Sequence, residues 1–364
     1  MKIFSLICHN GLGHFKRSVA VLSELQRQLP GVQITVACEK WQVERMQDWE
    51  VAAVFFANTE NVRYLDGLVF PGVYWDKNPL NYQDRKLTEW HHRLANVQEL
   101  HEADLVLSDN LSQVLLYRPD AVLLGSFLWS DILEDAYPEV PFVTEFVEEE
   151  RRLLATYKPR MLCVGDIVMP GVVKQTEAIK LPWFCEVALE KEAIVTERGA
   201  EESHFKIALL GGATDSIANE LQQLAQALLK NQRVELFLPK GLVSVPKGGE
   251  KNLHVFDHSE TSFSALDLII CRPGVGTLTD AICYKVPVAA VYEAGNIEME
   301  HNATVVEQLQ IGVNLGSLTD VSVSCAAIFE FLGSSSYSLS EKKIQARPRG
   351  GVEAAAAWVI ENMK

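Results

Sequence analysis

The sequence has no run of apolar residues approaching the ~18 to 20 that a membrane-spanning helix needs. It has no Cys-x-x-Cys pair, no Asp-x-Asp and no Gly-x-Ser-x-Gly. The apolar stretch 3–8 stops at His9 and Asn10 and lacks a small-residue cleavage site, so no signal peptide is expected. Cations are scarce: 33 Lys and Arg stand against 48 Asp and Glu, a formal net charge of -15. Such a charge repels phosphate backbones and anionic headgroups, so nucleic acid is not an expected partner and membrane contact is at most peripheral. Seven scattered cysteines, an odd number, read as reduced core residues of a cytoplasmic protein. His91, His92 and His101 lie on a polar helical segment without the spacing of metal ligands, and no metal site is expected.

What is present is the material of an ordinary globular protein, 48% hydrophobic and 22% charged, over 364 residues. That length exceeds what one core organises, and two domains of roughly 150 to 180 residues are expected. Apolar runs rich in β-branched residues alternate with helix-period segments, which predicts the α/β class with parallel sheets covered by helices. Strands are expected at 2–8, 33–37, 51–56, 104–108, 121–124 and 160–164, with a turn at 11–13 and a helix at 14–28. A second doubly wound unit is expected from strands at 205–210, 233–238, 253–256, 267–271 and 286–291, with a helix at 215–230. The boundaries that follow are a first domain at 1–175, a linker at 176–203, a second domain at 204–345 and a C-terminal segment at 346–364. The Ala-rich helix after the Gly-Gly break at 350–351 could pack on either domain. The aromatic stretch 58–89 is too long for an ordinary connection and reads as an insertion lining a site.

Gly274, Val275, Gly276 and Thr277 fall between a buried strand ending at Cys271 and a helix that follows. Glycines at such a junction let backbone N–H groups approach a phosphate, although a tight strand-to-helix turn needs the same residues. The longer string CRPGVGTLTDAICYKVPVAAVYEAGNIEMEHNATVVEQLQIGV resembles the donor-binding half of GT-B glycosyltransferases. It is similar in order and spacing to the family that includes the peptidoglycan lipid-intermediate N-acetylglucosaminyltransferase, and more loosely to UDP-glucuronosyltransferase-like enzymes. That resemblance implies two Rossmann-like domains facing a central cleft. It puts Gly274 to Thr277 at the diphosphate of a nucleotide sugar, Asp280 at the ribose and Glu298 with Asn302 near the sugar. Asp280 also suits a first-turn acid that favours the helix dipole. Phe256, at a strand end, either contacts the base or belongs to the core. Gly211 and Gly212 end the first strand of this half, where the family's loop also approaches the diphosphate. Arg17 and Arg272 either offset diphosphate charge or serve as surface or ion-pair residues. Glu298-Met299 replaces the Gln or Asp-Gln of many family members, which leaves the donor sugar open.

In the first half the string HNGLGHFKRSVAVLSEL resembles the N-terminal glycine loop of the same superfamily, and its GxGHxxR form also looks like nucleotide-sugar hydrolases of nonulosonate synthesis. Gly13 is expected near the donor. His14, at the carboxyl end of the first strand, suits a general base on an acceptor hydroxyl or a water, or a helix-start capping residue. Asp109 could orient His14 and stabilise the imidazolium, or cap a helix beginning near Leu111. Retaining members of the fold carry an acid eight positions before the residue matching Asp280, where this chain has Arg272. The resemblance thus implies an inverting, metal-independent enzyme with no cofactor. Its donor is a nucleotide-diphosphate sugar, UDP by default, and its acceptor a small molecule, glycan or lipid-linked sugar. Hydrolysis at the same site, or a non-catalytic partner that only binds the nucleotide sugar, are the alternatives.

Overall fold

The computed structural model describes residues 1–68, 86–185, 204–211, 217–239 and 250–362. The chain divides into two compact units, Met1–Phe184 together with Gly350–Lys364, and Cys185–Arg349. Most of the aromatic stretch 58–89, including Phe70, Tyr74, Trp75 and Tyr82, lies outside the described residues, as does 186–203.

In unit 1 seven parallel strands lie in the order β3-β2-β1-β4-β5-β6-β7. They are β1 (Lys2–Ile7), β2 (Gln33–Ala37), β3 (Val62–Leu65), β4 (Leu105–Asp109), β5 (Val122–Leu124), β6 (Arg160–Val164) and β7 (Glu177–Leu181). Between them run α1 (Leu12–Gln28), α2 (Lys40–Arg45), α3 (Glu50–Ala57), α4 (Leu87–Ala95), α5 (Gln98–Glu102), α6 (Trp129–Ala136), α7 (Pro141–Tyr157) and α8 (Pro170–Gln175). Five of the six residues of β1 are buried, the pattern of a central parallel strand covered on both faces.

Unit 2 repeats the arrangement with six parallel strands in the order β10-β9-β8-β11-β12-β13. These are β8 (Phe205–Leu210), β9 (Val234–Pro239), β10 (Leu253–Phe256), β11 (Leu268–Cys271), β12 (Val288–Val291) and β13 (Gly312–Gly316). Its helices are α9 (Ala218–Leu228), α10 (Glu260–Ser264), α11 (Val275–Tyr284), α12 (Ile297–Gln308), α13 (Val321–Leu332) and α14 (Ser335–Gln345). Ile207, Leu209 and Ile270 from the sheet pack with Leu221 and Leu224 of α9 to form the core of this unit. In each unit the first strand is central. The chain winds out to one edge and returns to build the other.

A last helix, α15 (Gly351–Asn362), belongs to unit 1. Val352, Ala355, Ala356 and Val359 are buried at helical spacing, and the helix packs on α1. Its start is pinned by the Gly351 N–H, which donates to Trp183 O at 2.8 Å, and farther along the helix the Arg160 guanidinium lies 5.3 Å from the Trp358 ring centroid.

Two expectations need correction. The segment 51–56 is the helix α3, because Ala52 and Phe55 are buried three residues apart while Val54 is 65% exposed. Three alanines in those eight residues favour that state, and Phe56 stacks on Phe15 of α1 at 6.0 Å. Residues 177–181, read as linker, form the edge strand β7, paired with β6 from Arg160↔Glu177 to Val164↔Leu181. Trp183 beyond it is fully buried, and its indole N–H donates to Asp166 Oδ2 at 2.8 Å. Among the described residues no helix is long and apolar enough to cross a membrane.

At Gly312 the strands β12 and β13 leave no room for a side chain, since a Cβ there would sit 1.8 Å from Val288 O. Gly312→Ala should therefore push the two strands apart. The expected loss is roughly 1 to 3 kcal/mol of stability, read from the urea midpoint.

Candidate active site

In a doubly wound sheet the ends of the two central strands open onto a gap that no connection crosses, and ligands bind there. In unit 1 those strands are β1 and β4. The chain leaves β1 through Gly11, whose φ of 87° is a conformation that favours glycine, and enters α1 directly. Gln42 of α2, fully buried, donates from Nε2 to both Cys8 O and Gly11 O at 3.1 Å and so staples this loop. Its Oε1 accepts the Glu39 N–H at 3.1 Å.

His14, Arg17 and Ser18 follow at spacings of three and four, on one face of α1, and all three are buried. That face meets Asp109, the last residue of β4, which is 1% exposed. Oδ1 of Asp109 accepts from His14 Nδ1 at 2.5 Å and from Arg17 Nη2 at 2.6 Å. Oδ2 accepts from Arg17 Nε at 2.6 Å and from the Ser18 hydroxyl at 2.9 Å. Burial opposes the charge on Asp109, yet Arg17 and His14 pull its pKa down to about 2. An ionised carboxylate only accepts hydrogen bonds, so Nδ1 of His14 carries the proton and Nε2 of the neutral ring carries the lone pair. Arg17 Nη2, 3.1 Å from Nδ1, is then a second donor to the same oxygen.

Burial, the largest influence, lowers the His14 pKa; Asp109 works to raise it and Arg17 adds to the lowering. The imidazole is backed by Phe127, edge-on at 6.0 Å, and by Trp129 at the start of α6, at 6.5 Å. Beside Trp129, Glu150 of α7 holds the start of α6: it accepts the Ser130 N–H at 2.6 Å and the Ser112 hydroxyl at 2.6 Å.

In unit 2 the equivalent gap lies beside β8 and β11. Gly211 follows β8 and is buried, while Gly212 lies outside the described residues. The Arg272 N–H donates to Leu210 O at 3.2 Å, which joins the two strand ends. Gly274 is the N-cap of α11, and Val275, Gly276 and Thr277 form its first turn. The first N–H groups of a helix have no intrahelical acceptor and point along a favourable dipole. A Cβ on Gly274 would meet no protein atom within 4 Å. Asp280 sits in the second turn, half-buried. Asn302 of α12 donates from Nδ2 to Pro273 O at 2.9 Å and holds the loop from the far side, and Glu298 is buried in the first turn of α12.

Two residues differ from the expectation of direct donor contact. Arg272 is matched by a carboxylate of its own unit: its Nε and Nη2 donate to Glu293 at 2.7 to 3.0 Å. Burial raises the Glu293 pKa, but Arg272 outweighs it and the net shift is downward. Glu293 also accepts from Asn296 Nδ2 at 2.8 Å, while Asn296 caps α12 through the Met299 N–H. Phe256 is 2% exposed and packed edge-on against Phe263 and His258, so it is a core ring. It ends β10, three strand positions from β11, roughly 14 Å along the sheet. His258, with φ 60° just beyond it, is the exposed ring at that strand end.

Ser18, Gln42, Glu293 and Asn296 were not singled out as site residues from sequence, whereas Arg17 was read either as offsetting diphosphate charge or as a surface or ion-pair residue, and it is paired with Asp109. For Arg17 and Ser18 a signal existed in the His-x-x-Arg-Ser spacing, which puts all three side chains on one helical face.

No family model matches the sequence. A relative from Clavibacter michiganensis subsp. michiganensis (strain NCPPB 382) is 25% identical over 178 residues. It is a UDP-N-acetylglucosamine--N-acetylmuramyl-(pentapeptide) pyrophosphoryl-undecaprenol N-acetylglucosamine transferase, and the match covers 45% of this chain and 48% of the relative, about half its length. Similar solved structures cover nearly all of this chain. The glycotransferase of kitacinnamycin superposes with a TM-score of 0.65 at 16% identity, covering 100% of this chain and 98% of its own. MurG of Acinetobacter baumannii gives 0.62 at 13% identity, with coverages of 99% and 100%. The spinosyn rhamnosyltransferase SpnG, complexed with thymidine diphosphate, gives 0.59 at 16% identity, with both chains fully covered. The fold of this chain is accordingly the GT-B fold, two Rossmann-like α/β units, and its sequence is similar to the GT-B glycosyltransferases.

The Asp109 network has a consequence for acid stability. An ordinary aspartate titrates at 3.8 and this one at about 2. Its folded pKa is the lower, so its contribution is complete above about pH 4 and is lost as the pH falls through 2. The difference amounts to about 2 kcal/mol. Asp109→Asn should flatten the dependence of unfolding free energy on pH in that window, as urea melts at successive pH values would record.

Proposed function

We propose that the chain is an inverting glycosyltransferase that moves a sugar from a nucleotide diphosphate to an acceptor hydroxyl, with His14 as the base. The observation that carries this reading is the buried His14–Asp109 contact at the end of the central strands of a GT-B fold. A neutral imidazole whose Nδ1–H is held by a carboxylate has one reactive site, Nε2.

In the proposed step the acceptor oxygen attacks the anomeric carbon as Nε2 takes its proton. The bond from that carbon to the diphosphate breaks, and the electron pair leaves with the nucleoside diphosphate. Asp109 accepts the Nδ1–H of the imidazolium formed. The first-turn N–H groups of α11 and its dipole take up charge on the departing diphosphate, a role that fits the open space at Gly274. Asp280 is assigned to the ribose, and Glu298 and Asn302 to the sugar side. Asn302 acts at least in part through the loop it holds at Pro273. Arg272 is assigned to the Glu293 pair, which shapes the same loop.

The nucleotide is read as UDP, in keeping with the UDP-linked donor in the name of the Clavibacter relative. The thymidine diphosphate bound to SpnG makes TDP the competitor to exclude. The acceptor is a small molecule, a glycan or a lipid-linked sugar. Water as acceptor remains a second reading because Arg17, the last residue of the GxGHxxR string, joins the network at Asp109. Release of free sugar without any added acceptor would identify that case.

One nucleoside diphosphate, UDP, should raise the melting temperature selectively. Gly274→Trp should abolish that rise without lowering the melting temperature of the free protein, because the position faces open space. A wild type that no nucleotide stabilises would sink the donor assignment. His14→Gln should lower kcat by about 10² to 10⁴-fold while nucleotide binding persists, and turnover should be insensitive to EDTA.

A further inference from the structure

The carboxylate beside His14 raises a difficulty that the structure itself resolves. An unshielded anion 2.5 Å from Nδ1 favours the imidazolium, and a ring that is already protonated is no base. Asp109 is not alone, however, because Arg17 reaches it from the next turn of α1.

We infer that Arg17 is a positioning residue for His14: it grips both oxygens of Asp109, matches the carboxylate's charge, and leaves Oδ1 as the acceptor that holds the imidazole in its Nδ1–H form. This rests on the reading of His14 as the base.

The geometry is that of a bidentate fork, with Nε on Oδ2 and Nη2 on Oδ1, both at 2.6 Å. With the Ser18 hydroxyl on Oδ2, each carboxylate oxygen accepts two hydrogen bonds, so neither is left over to take a proton. Arg17 and Asp109 are both buried, and a guanidinium so placed is neither a surface charge nor a ready counter-ion for a diphosphate. Removing His14 from the count leaves a neutral ion pair. Its positive end lies 3.1 Å from Nδ1 and opposes a second positive charge there. Among the described residues, the groups that face the imidazole from neighbouring elements are Asp109 at the end of β4 and the uncharged rings of Phe127 and Trp129. The Cys8 thiol at the end of β1 shares the neighbours Asp109 and Arg17, and burial pushes it up to about 12, so it stays neutral. The direction of the His14 shift, downward from 6.5 with Arg17 among the lowering influences, agrees with this arrangement.

The imidazole can be followed by NMR of the histidine-labelled full chain, with the His14 signal identified by its loss in His14→Gln. Wild type should show a neutral Nδ1–H ring with a midpoint below 6.5. In Arg17→Gln the midpoint should rise by about one pH unit or more, and Arg17→Lys, which keeps the charge but not the fork, should fall between the two. The acid limb of kcat/KM should move upward by the same amount as the midpoint, with the donor KM unchanged. A midpoint in Arg17→Gln equal to or below that of wild type would overturn the inference.

Should Arg17→Gln fail to fold, Asp109→Asn is compared with Asp109→Asn/Arg17→Gln, in which the buried pair is removed together. The double variant should then titrate higher than the single one, and equal midpoints would refute the role of Arg17. Because the titration needs no substrate, it stands even if no donor is turned over. That second result would count against the glycosyltransferase reading alone.

Discussion

A parallel sheet that begins at its centre and winds outward in both directions must leave one place where neighbouring strands send their connections to opposite sides. This constraint governs both units. Whatever residue follows β1 or β4, and whatever residue follows β8 or β11, borders the place where those connections diverge. Short connections with little side-chain bulk are required there, and the chain supplies Gly11 and Gly13 in one unit and Gly211, Gly274 and Gly276 in the other. The same topology is used with different content. Unit 1 places titratable side chains at its gap, whereas unit 2 places backbone N–H groups and a loop braced by Asn302 and by the Arg272–Glu293 pair.

That division follows from how each element is held. His14 is held at Nδ1 by Asp109 and flanked by Phe127 and Trp129, which pack edge-to-face on one another, and Glu150 of α7 accepts the Ser130 N–H at the head of α6. A buried ion pair such as Arg17–Asp109 adds little net stability, since desolvation offsets most of the attraction. Breaking it from one side leaves an uncompensated charge and costs about 3 to 5 kcal/mol. Its worth is geometric: it admits one arrangement of four side chains and penalises the rest.

The central strands were legible in the sequence because they are buried on both faces and read as continuous apolar runs, as in Ile3 to Ile7 and Leu268 to Cys271. The edges were not. β3, β7 and β13 are half-exposed, and their residues, such as Val-Arg-Tyr-Leu and Gly-Val-Asn-Leu-Gly, carry neither a clean alternation nor a continuous run. The segment 51–56 misled for a different reason: a short apolar run has no period of its own, and only packing against α1 gave it one. The same limit applies to the site. The glycine turns and His14 announce themselves locally. The clamp of Arg17 on Asp109 joins residues 92 positions apart, and the Arg272–Glu293 pair joins residues 21 apart, so no local pattern encodes either contact.

The discontinuity of unit 1 has a temporal side. The helix at 351–362 covers α1, the helix that bears His14, yet the ribosome makes it only after all of unit 2. Unit 2 is a continuous stretch and can complete its core during synthesis, whereas unit 1 must wait with one flank of α1 uncovered. The flank of α1 that α15 covers is therefore sealed late. A chain interrupted anywhere before α15 would leave the flank of α1 that this helix covers open to proteases and chaperones.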